Sequence, residues 1–201
     1  MHFNRFQQKV FPLFIFIFCS SAIFAEQVVY DMSVFGYTFG RMVVAKSMEN
    51  DSTELLTLNA KGKTNFLWMK REDETIYEVR FRNGKLISSS HKQIESGVLK
   101  QWTNIVYDGK QYQVNSYKGK KSFAEIPDFS VLQMHFYPLQ KRAKIFHEAE
   151  SKFFPLVYKD NGKVELKISD ANRTIYSYSK GRIEEMEVHL PIATVKMTRV
   201  N

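Results

Sequence analysis

The chain reads as an all-β protein: a single antiparallel meander of about ten strands, curled into a barrel or half-barrel, with one short helix. Two observations lead there. Apolar and polar residues alternate strictly over many short runs, the period of a strand with one dry face and one wet face. Between the runs stand short polar turns carrying Asn-Gly, Asp-Gly or Lys-Gly, which join antiparallel neighbours and leave no room for crossover helices.

The elements follow in order. Gln27 to Phe35, Phe39 to Met48 and Thr53 to Asn59 are strand-like but irregular, as are Leu86 to Ile94, Val98 to Tyr107 and Ala193 to Val200 further on. Tyr77, Val79 and Phe81 alternate with Glu78, Arg80 and Arg82, and Asn83-Gly84 supplies the positive φ angles of a tight hairpin. Leu86 to Ile94 and Val98 to Tyr107 continue the meander, and Asp108-Gly109 turns it into Tyr112 and Val114. Later, Leu156 to Tyr158 turns at Asp160-Asn161-Gly162 into Val164, Leu166 and Ile168. Thr174 to Ser179 turns at Lys180-Gly181 into Met186, Val188 and Leu190, and Ala193 to Val200 closes the series.

One segment breaks the alternation. Ser130 and Gln133 have capping-box spacing, and Phe129 with Met134 can staple the same helix start. The spacing predicts a helix from Val131 to Phe136 or Tyr137, because Pro138 disfavours helical geometry in the residue before it. Placed between two runs of hairpins, this aromatic-rich helix is expected to cover a mouth of the curled sheet or to plug its hollow. From Leu139 to Ser151 the pattern leaves helix and strand both open.

The first 25 residues read as an export signal. Arg5 and Lys9 precede an apolar run from Val10 to Phe18, and Ile23-Phe24-Ala25 is a fair cleavage site, so the mature chain is expected to start at Glu26. The run is shorter than the ~20 residues that span a bilayer. Cys19 lacks the small residue before it and the aliphatic one three before it that a lipid-anchored start requires, since Phe18 and Phe16 stand there. Residues 26–201 then form one β-barrel-like domain in the periplasm or outside the cell. The only cysteine lies in the leader, so the mature chain has no disulfide and no thiolate chemistry.

The formal charge of +8 is spread among acids, apart from two clusters, Lys118/Lys120/Lys121 and Lys141/Arg142/Lys144. Nucleic acid is a poor partner for an exported protein. An anionic membrane surface attracts such clusters by ~1 kcal/mol per basic residue, but the plainer reading, a solvated surface that keeps the protein soluble, comes first.

No catalytic or metal constellation stands out. Glu185, Glu187 and His189 share one side of a strand, but their apolar neighbours make that the wet face. His147-Glu148 lacks the second histidine of a zinc helix, and Gly119-Lys120-Lys121-Ser122 lacks the earlier glycine of a phosphate loop. With no cofactor or metal site and no Gly-x-Ser-x-Gly turn, the protein is expected not to be an enzyme. What the sequence offers is aromatic surface. Trp68, Trp102, Phe129, Phe136, Tyr176 and Tyr178, with Leu132, are the candidates to line a cavity for an apolar ligand, the alternative being an ordinary filled core.

Leu132-Gln133-Met134-His135-Phe136-Tyr137-Pro138, Ile145-Phe146-His147-Glu148 and Tyr176-Ser177-Tyr178-Ser179-Lys180-Gly181, together with Tyr30 to Gly36 and Gly40, resemble an uncharacterised domain-of-unknown-function family of exported bacterial proteins. The resemblance implies a curved antiparallel sheet similar in outline to the periplasmic lipoprotein carriers, and no reaction. The family's turn before the Tyr-x-Tyr strand is often Asp-Gly. Here it is Asp170-Ala171-Asn172-Arg173, which leaves the register of that hairpin open. The expected function is binding of an apolar small molecule or lipid, with envelope assembly through protein–protein contacts as the alternative.

Overall fold

The computed structural model describes residues 25–66 and 69–200. The expected leader up to residue 24 and the candidate Trp68 lie outside the described residues. Eight strands come first: β1 (Glu26–Val34), β2 (Tyr37–Asn50), β3 (Thr53–Phe66), β4 (Met69–Arg82), β5 (Lys85–Glu95), β6 (Val98–Tyr107), β7 (Tyr112–Ser116) and β8 (Gly119–Phe123). A 3-10 helix, Leu132–His135, interrupts them. Six more follow: β9 (Lys144–His147), β10 (Lys152–Tyr158), β11 (Lys163–Lys167), β12 (Arg173–Ser179), β13 (Arg182–His189) and β14 (Thr194–Arg199).

Among the described residues the fold is all-β, with fourteen strands where the alternation suggested about ten. All pair antiparallel in one sheet, ordered from β8 back to β1, then β14 back to β9. The β1–β14 pair, with Tyr30 opposite Arg199 and Ser33 opposite Lys196, joins two runs of hairpins in the middle of the sheet. Hairpin geometry follows the turn chemistry: Asn83 and Gly84 sit at φ 50° and 73°, the paired positive values that match a right-handed strand twist. The β11–β12 register, left open by the sequence, sets Val164 opposite Tyr176, and Asn172 closes the loop by donating its amide to Ser169.

Alternate residues of each strand point to the concave side and form the core: Val28, Tyr30 and Met32 of β1, Val44 of β2, Leu56 of β3, Val79 and Phe81 of β4, Ile105 of β6, Leu166 of β11 and Met186 of β13. The sheet curls but does not close, for no ladder joins the edge strands β8 and β9. Side chains bridge that seam instead. Phe123 and Phe146 pack with ring centroids 5.6 Å apart, Lys121 Nζ donates to the carbonyls of Glu150 and Ser151, and Thr103 Oγ1 donates to Ala149 at 2.9 Å.

Where β2 and β3 cross, Gly40 stands opposite Gly62, and the Phe39 ring lies over Gly62. A Cβ on Gly40 would come within 2.2 Å of the Lys61 carbonyl oxygen, so the two backbones would have to part. Gly40→Ala is therefore expected to lower unfolding stability by about 1–3 kcal/mol, the scale of overpacking a filled site. Urea titration checks this, and an unchanged midpoint would contradict it.

Candidate functional site at the plugged mouth

The segment between β8 and β9 turns inward and plugs the concave side. Its helix is a 3-10 turn over Leu132–His135, not the longer helix from Val131 that the sequence suggested. Half of the expected capping box forms: the Ser130 amide donates to Gln133 Oε1 at 3.0 Å, while the Ser130 side chain makes no cap. The Leu132 amide instead donates to Glu148 Oε1 at 3.4 Å. A tight turn suits the place, because it sends successive side chains in three directions and all four of its residues are buried.

The plug is tied to both halves of the sheet. The Tyr30 hydroxyl of β1 lies 3.0 Å from His135 Nδ1, and the Tyr137 hydroxyl donates to Glu54 of β3. The Leu86 amide of β5 donates to the Pro127 carbonyl at 3.0 Å. Ser130 bridges to Phe146 in a parallel sense, with the Val131 amide donating to the Phe146 carbonyl, so the plug also covers the free edge of β9. Lys46 Nζ sits 5.2 Å from the Phe136 ring centre and 4.7 Å from that of Tyr137, attracted by the negative ring faces.

Of the sequence candidates, Phe129, Leu132 and Tyr176 are buried in the core, and Phe136 and Tyr178 pack against it. These five come together around the plug. Trp102 does not join them: Thr103 and Ile105 are buried toward the concave side, so by alternation Trp102 stands on the outer face with Asn104 and Val106. The hollow they were expected to line is occupied by the protein's own chain. His147-Glu148 ends a strand and begins a turn, and Gly119-Lys120-Lys121-Ser122 lies in β8. Glu185 and Glu187 pair with Lys196 and Lys163 across the outer face. Among the described residues no three His, Asp or Glu side chains are placed to hold a metal ion.

A cleft of about 540 Å³ remains beside the plug. The β2–β3 turn (Asp51, Ser52), the β4–β5 turn (Asn83, Gly84) and the plug frame it, and Met48, Phe81, Phe129 and Pro138 supply apolar wall. Arg142 stands among the lining residues, its guanidinium 4.5 Å from the Phe129 ring centre and its Nη1 3.0 Å from Asp128. Its Nε is buried without a protein partner. Sequence reasoning missed Arg142 as a site residue, because nothing in a basic run says which member folds back over an aromatic ring.

Buried titratable groups lie in the plug and around it. Burial pushes the Glu148 carboxyl up to about 7, partly offset by Ser130 and the Leu132 amide. Burial also holds His91, His135 and His147 down at about 4, and Nδ1 of both His91 and His147 lacks a protein partner. The two kinds of shift tilt stability oppositely. The raised Glu148 contributes stability that is full below its ordinary value near 4.5 and is lost as pH rises through about 7. The histidines contribute stability that is full above 6.5 and is lost as pH falls toward 4. Glu148→Gln is therefore expected to gain on the wild type as pH rises from 5 to 8, by a few kcal/mol at most. Thermal melts of both proteins across that range check it, and a constant difference would contradict the burial of an ionisable carboxyl.

No family model matches the chain, and no curated protein matches it. Among solved structures it is similar to a beta-barrel-like protein of the domain of unknown function DUF1849 from Brucella abortus, with a TM-score of 0.60 and 11% identity, covering 89% of this chain and 96% of that one. At that identity the likeness shows the fold alone. The class so defined is a β-barrel-like protein.

Proposed function

We propose that the protein is an exported, periplasmic, non-enzymatic binding protein for an apolar or lipid-like molecule, seated in the cleft beside the plug. The observation that carries this reading is the cleft itself. Its volume falls within the ~300–1,000 Å³ usual for small-molecule sites, and its apolar wall of Met48, Phe81, Phe129 and Pro138 faces a polar margin that includes Asp51, Glu54, Gln133 and Arg142. The partly exposed guanidinium of Arg142 in the lining suits a ligand whose apolar chain ends in a polar or anionic head. Aromatic and aliphatic contact would supply most of the affinity through buried area. Docking on an anionic membrane through the two basic clusters belongs to the same proposal. Four of those six residues, Lys118, Lys121, Arg142 and Lys144, are already engaged with Glu150, Ser151, Asp128 and Glu125.

A second reading, an envelope assembly protein acting through protein–protein contacts, is favoured by two observations. The concave side is filled, and β8 is the last strand of the sheet on its side. Such an edge accepts a strand from a partner, although Lys120 and Lys121 make it a poor template for indiscriminate pairing.

Binding of a dansyl-labelled undecanoic acid, followed by fluorescence, separates the two readings. The cleft reading expects saturable binding that Met48→Trp, placed on the exposed rim of the cleft, weakens at least tenfold without lowering the melting temperature. Equal binding by the variant, or none by the wild type, would contradict it.

A further inference from the structure

Two adjacent hairpins of the barrel carry apolar tips, whereas most turns elsewhere are polar, Ser96-Gly97 and Ser169-Asp170-Ala171-Asn172 on the same rim included. At the rim that holds the cleft, the turns are polar: Asp51-Ser52, Asn83-Gly84, Asp108-Gly109, Asp160-Asn161-Gly162 and Lys180-Gly181. At the opposite rim the β1–β2 turn is Phe35-Gly36, followed by Tyr37, and the β13–β14 turn is Leu190-Pro191-Ile192. These two hairpins are neighbours, for β1 pairs β14 with Ser33 opposite Lys196. The three most exposed large apolar residues of the described chain stand on them: Ile192 at 93%, Phe35 at 83% and Tyr37 at 78%. A little further along the same rim, Val98 and Leu99 follow the β5–β6 turn and are half exposed.

Phe35 carries a second oddity. It sits at φ 49°, a left-handed conformation that disfavours residues with bulky side chains. The other non-glycine residues in that region among the described ones are Asn83, Ser96, Ser151 and Lys180, all polar. A two-residue hairpin turn favours Asn or Asp at this place. Neither backbone preference nor burial therefore accounts for a phenylalanine at the apex, and the strain points to a contact outside the fold.

We propose that this rim docks the protein on a lipid surface of zwitterionic headgroups, with Phe35, Tyr37 and Ile192 entering the interface. The occupant follows from shape and charge. The tips are few, Phe35 and Tyr37 on one hairpin, beside Val34 and Phe39, and Ile192 on the neighbouring one, whereas a standard protein interface engages ~20–30 residues on each side. A fluid interface closes around isolated aromatic and aliphatic tips, and aromatic rings favour that depth. Below the tips the charges are paired among themselves: Lys61 with Glu74, Lys63 with Glu72, Arg71 with Asp73 and Glu95, Lys196 with Glu185. Such a collar suits a surface without net charge and offers little to a strongly acidic or basic partner. The inference is independent of the cleft, which opens at the other rim.

Flotation of the full chain, as recovered from expressing cells, with phosphatidylcholine vesicles tests it. Wild-type protein is expected to float with them in the absence of any anionic lipid. Phe35→Asn combined with Tyr37→Ser and Ile192→Ser is expected to cut partitioning at least tenfold while the melting temperature holds or rises, since Phe35→Asn relieves the turn. Ile192→Ser alone, on a nearly fully exposed side chain, should cut it severalfold. Both variants keep the wild-type N-terminus, so the differences report on the tips. Three results would overturn the proposal: no flotation of the wild type, flotation only with anionic vesicles and unchanged in the variants, or a lipid-free dimer in sedimentation that the triple variant abolishes.

Discussion

The constraint on which the rest depends is the inward fold of the segment between β8 and β9. A meander of fourteen strands with unjoined edges leaves a large apolar face open to water, and an open twisted sheet of that size must close, split or be covered. Here it is covered from within. Leu132 and Met134 are almost wholly buried in the same apolar cluster as Val44, Leu56 and Ile183, so the plug belongs to the core. Its polar groups are met on the way: the Leu132 amide by Glu148, Tyr137 by Glu54, His135 by Tyr30. One short segment thus fills the hollow, covers the edge of β9 and spans the two halves of the sheet.

That arrangement has a cost which the interior records. Glu148 is driven toward its neutral form by burial, and three histidines are kept neutral by the same cause. Unpaired nitrogens on His91 and His147 lie in the same region. Buried polar groups so placed make the stability of the plugged state depend on pH in both directions, with the histidines setting the acid side. The cleft lies where the plug meets the ends of β2, β3, β4 and β5, so the groups that shape it also hold the fold together.

Much of the architecture was legible in the sequence, and the failures have physical causes. Alternation and Asn-Gly or Lys-Gly turns marked β4, β12 and β13, because each has a dry face, a wet face and a turn needing positive φ. The strands that escaped notice lack such a contrast: β8 is Gly-Lys-Lys-Ser-Phe at an edge, and β9 is four residues long. The helix was seen, but not its tightness, which comes from burial on every side and from the grip of Glu148 on its first amide. Phe129, Leu132, Phe136, Tyr176 and Tyr178 lie in or against the apolar core, yet sequence cannot say whether such a group encloses space or fills it. Trp102 was grouped with them by residue type, while the parity set by Thr103 and Ile105 turns it outward. Arg142 became visible only through its contact with Phe129.

The similarity to a beta-barrel-like protein at 11% identity fits this division, since hairpin order and a curled sheet survive where side chains have changed almost throughout. Amide hydrogen exchange tests the central claim most directly. If the plug is part of the core, the amides of Val131, Met134 and Phe136 should exchange as slowly as those of Val28, Tyr30 and Met32 in β1, since both would open only with the whole fold. Exchange of the plug amides many times faster, with β1 still protected, would show a lid lying on a sheet that stands without it, and would contradict the account.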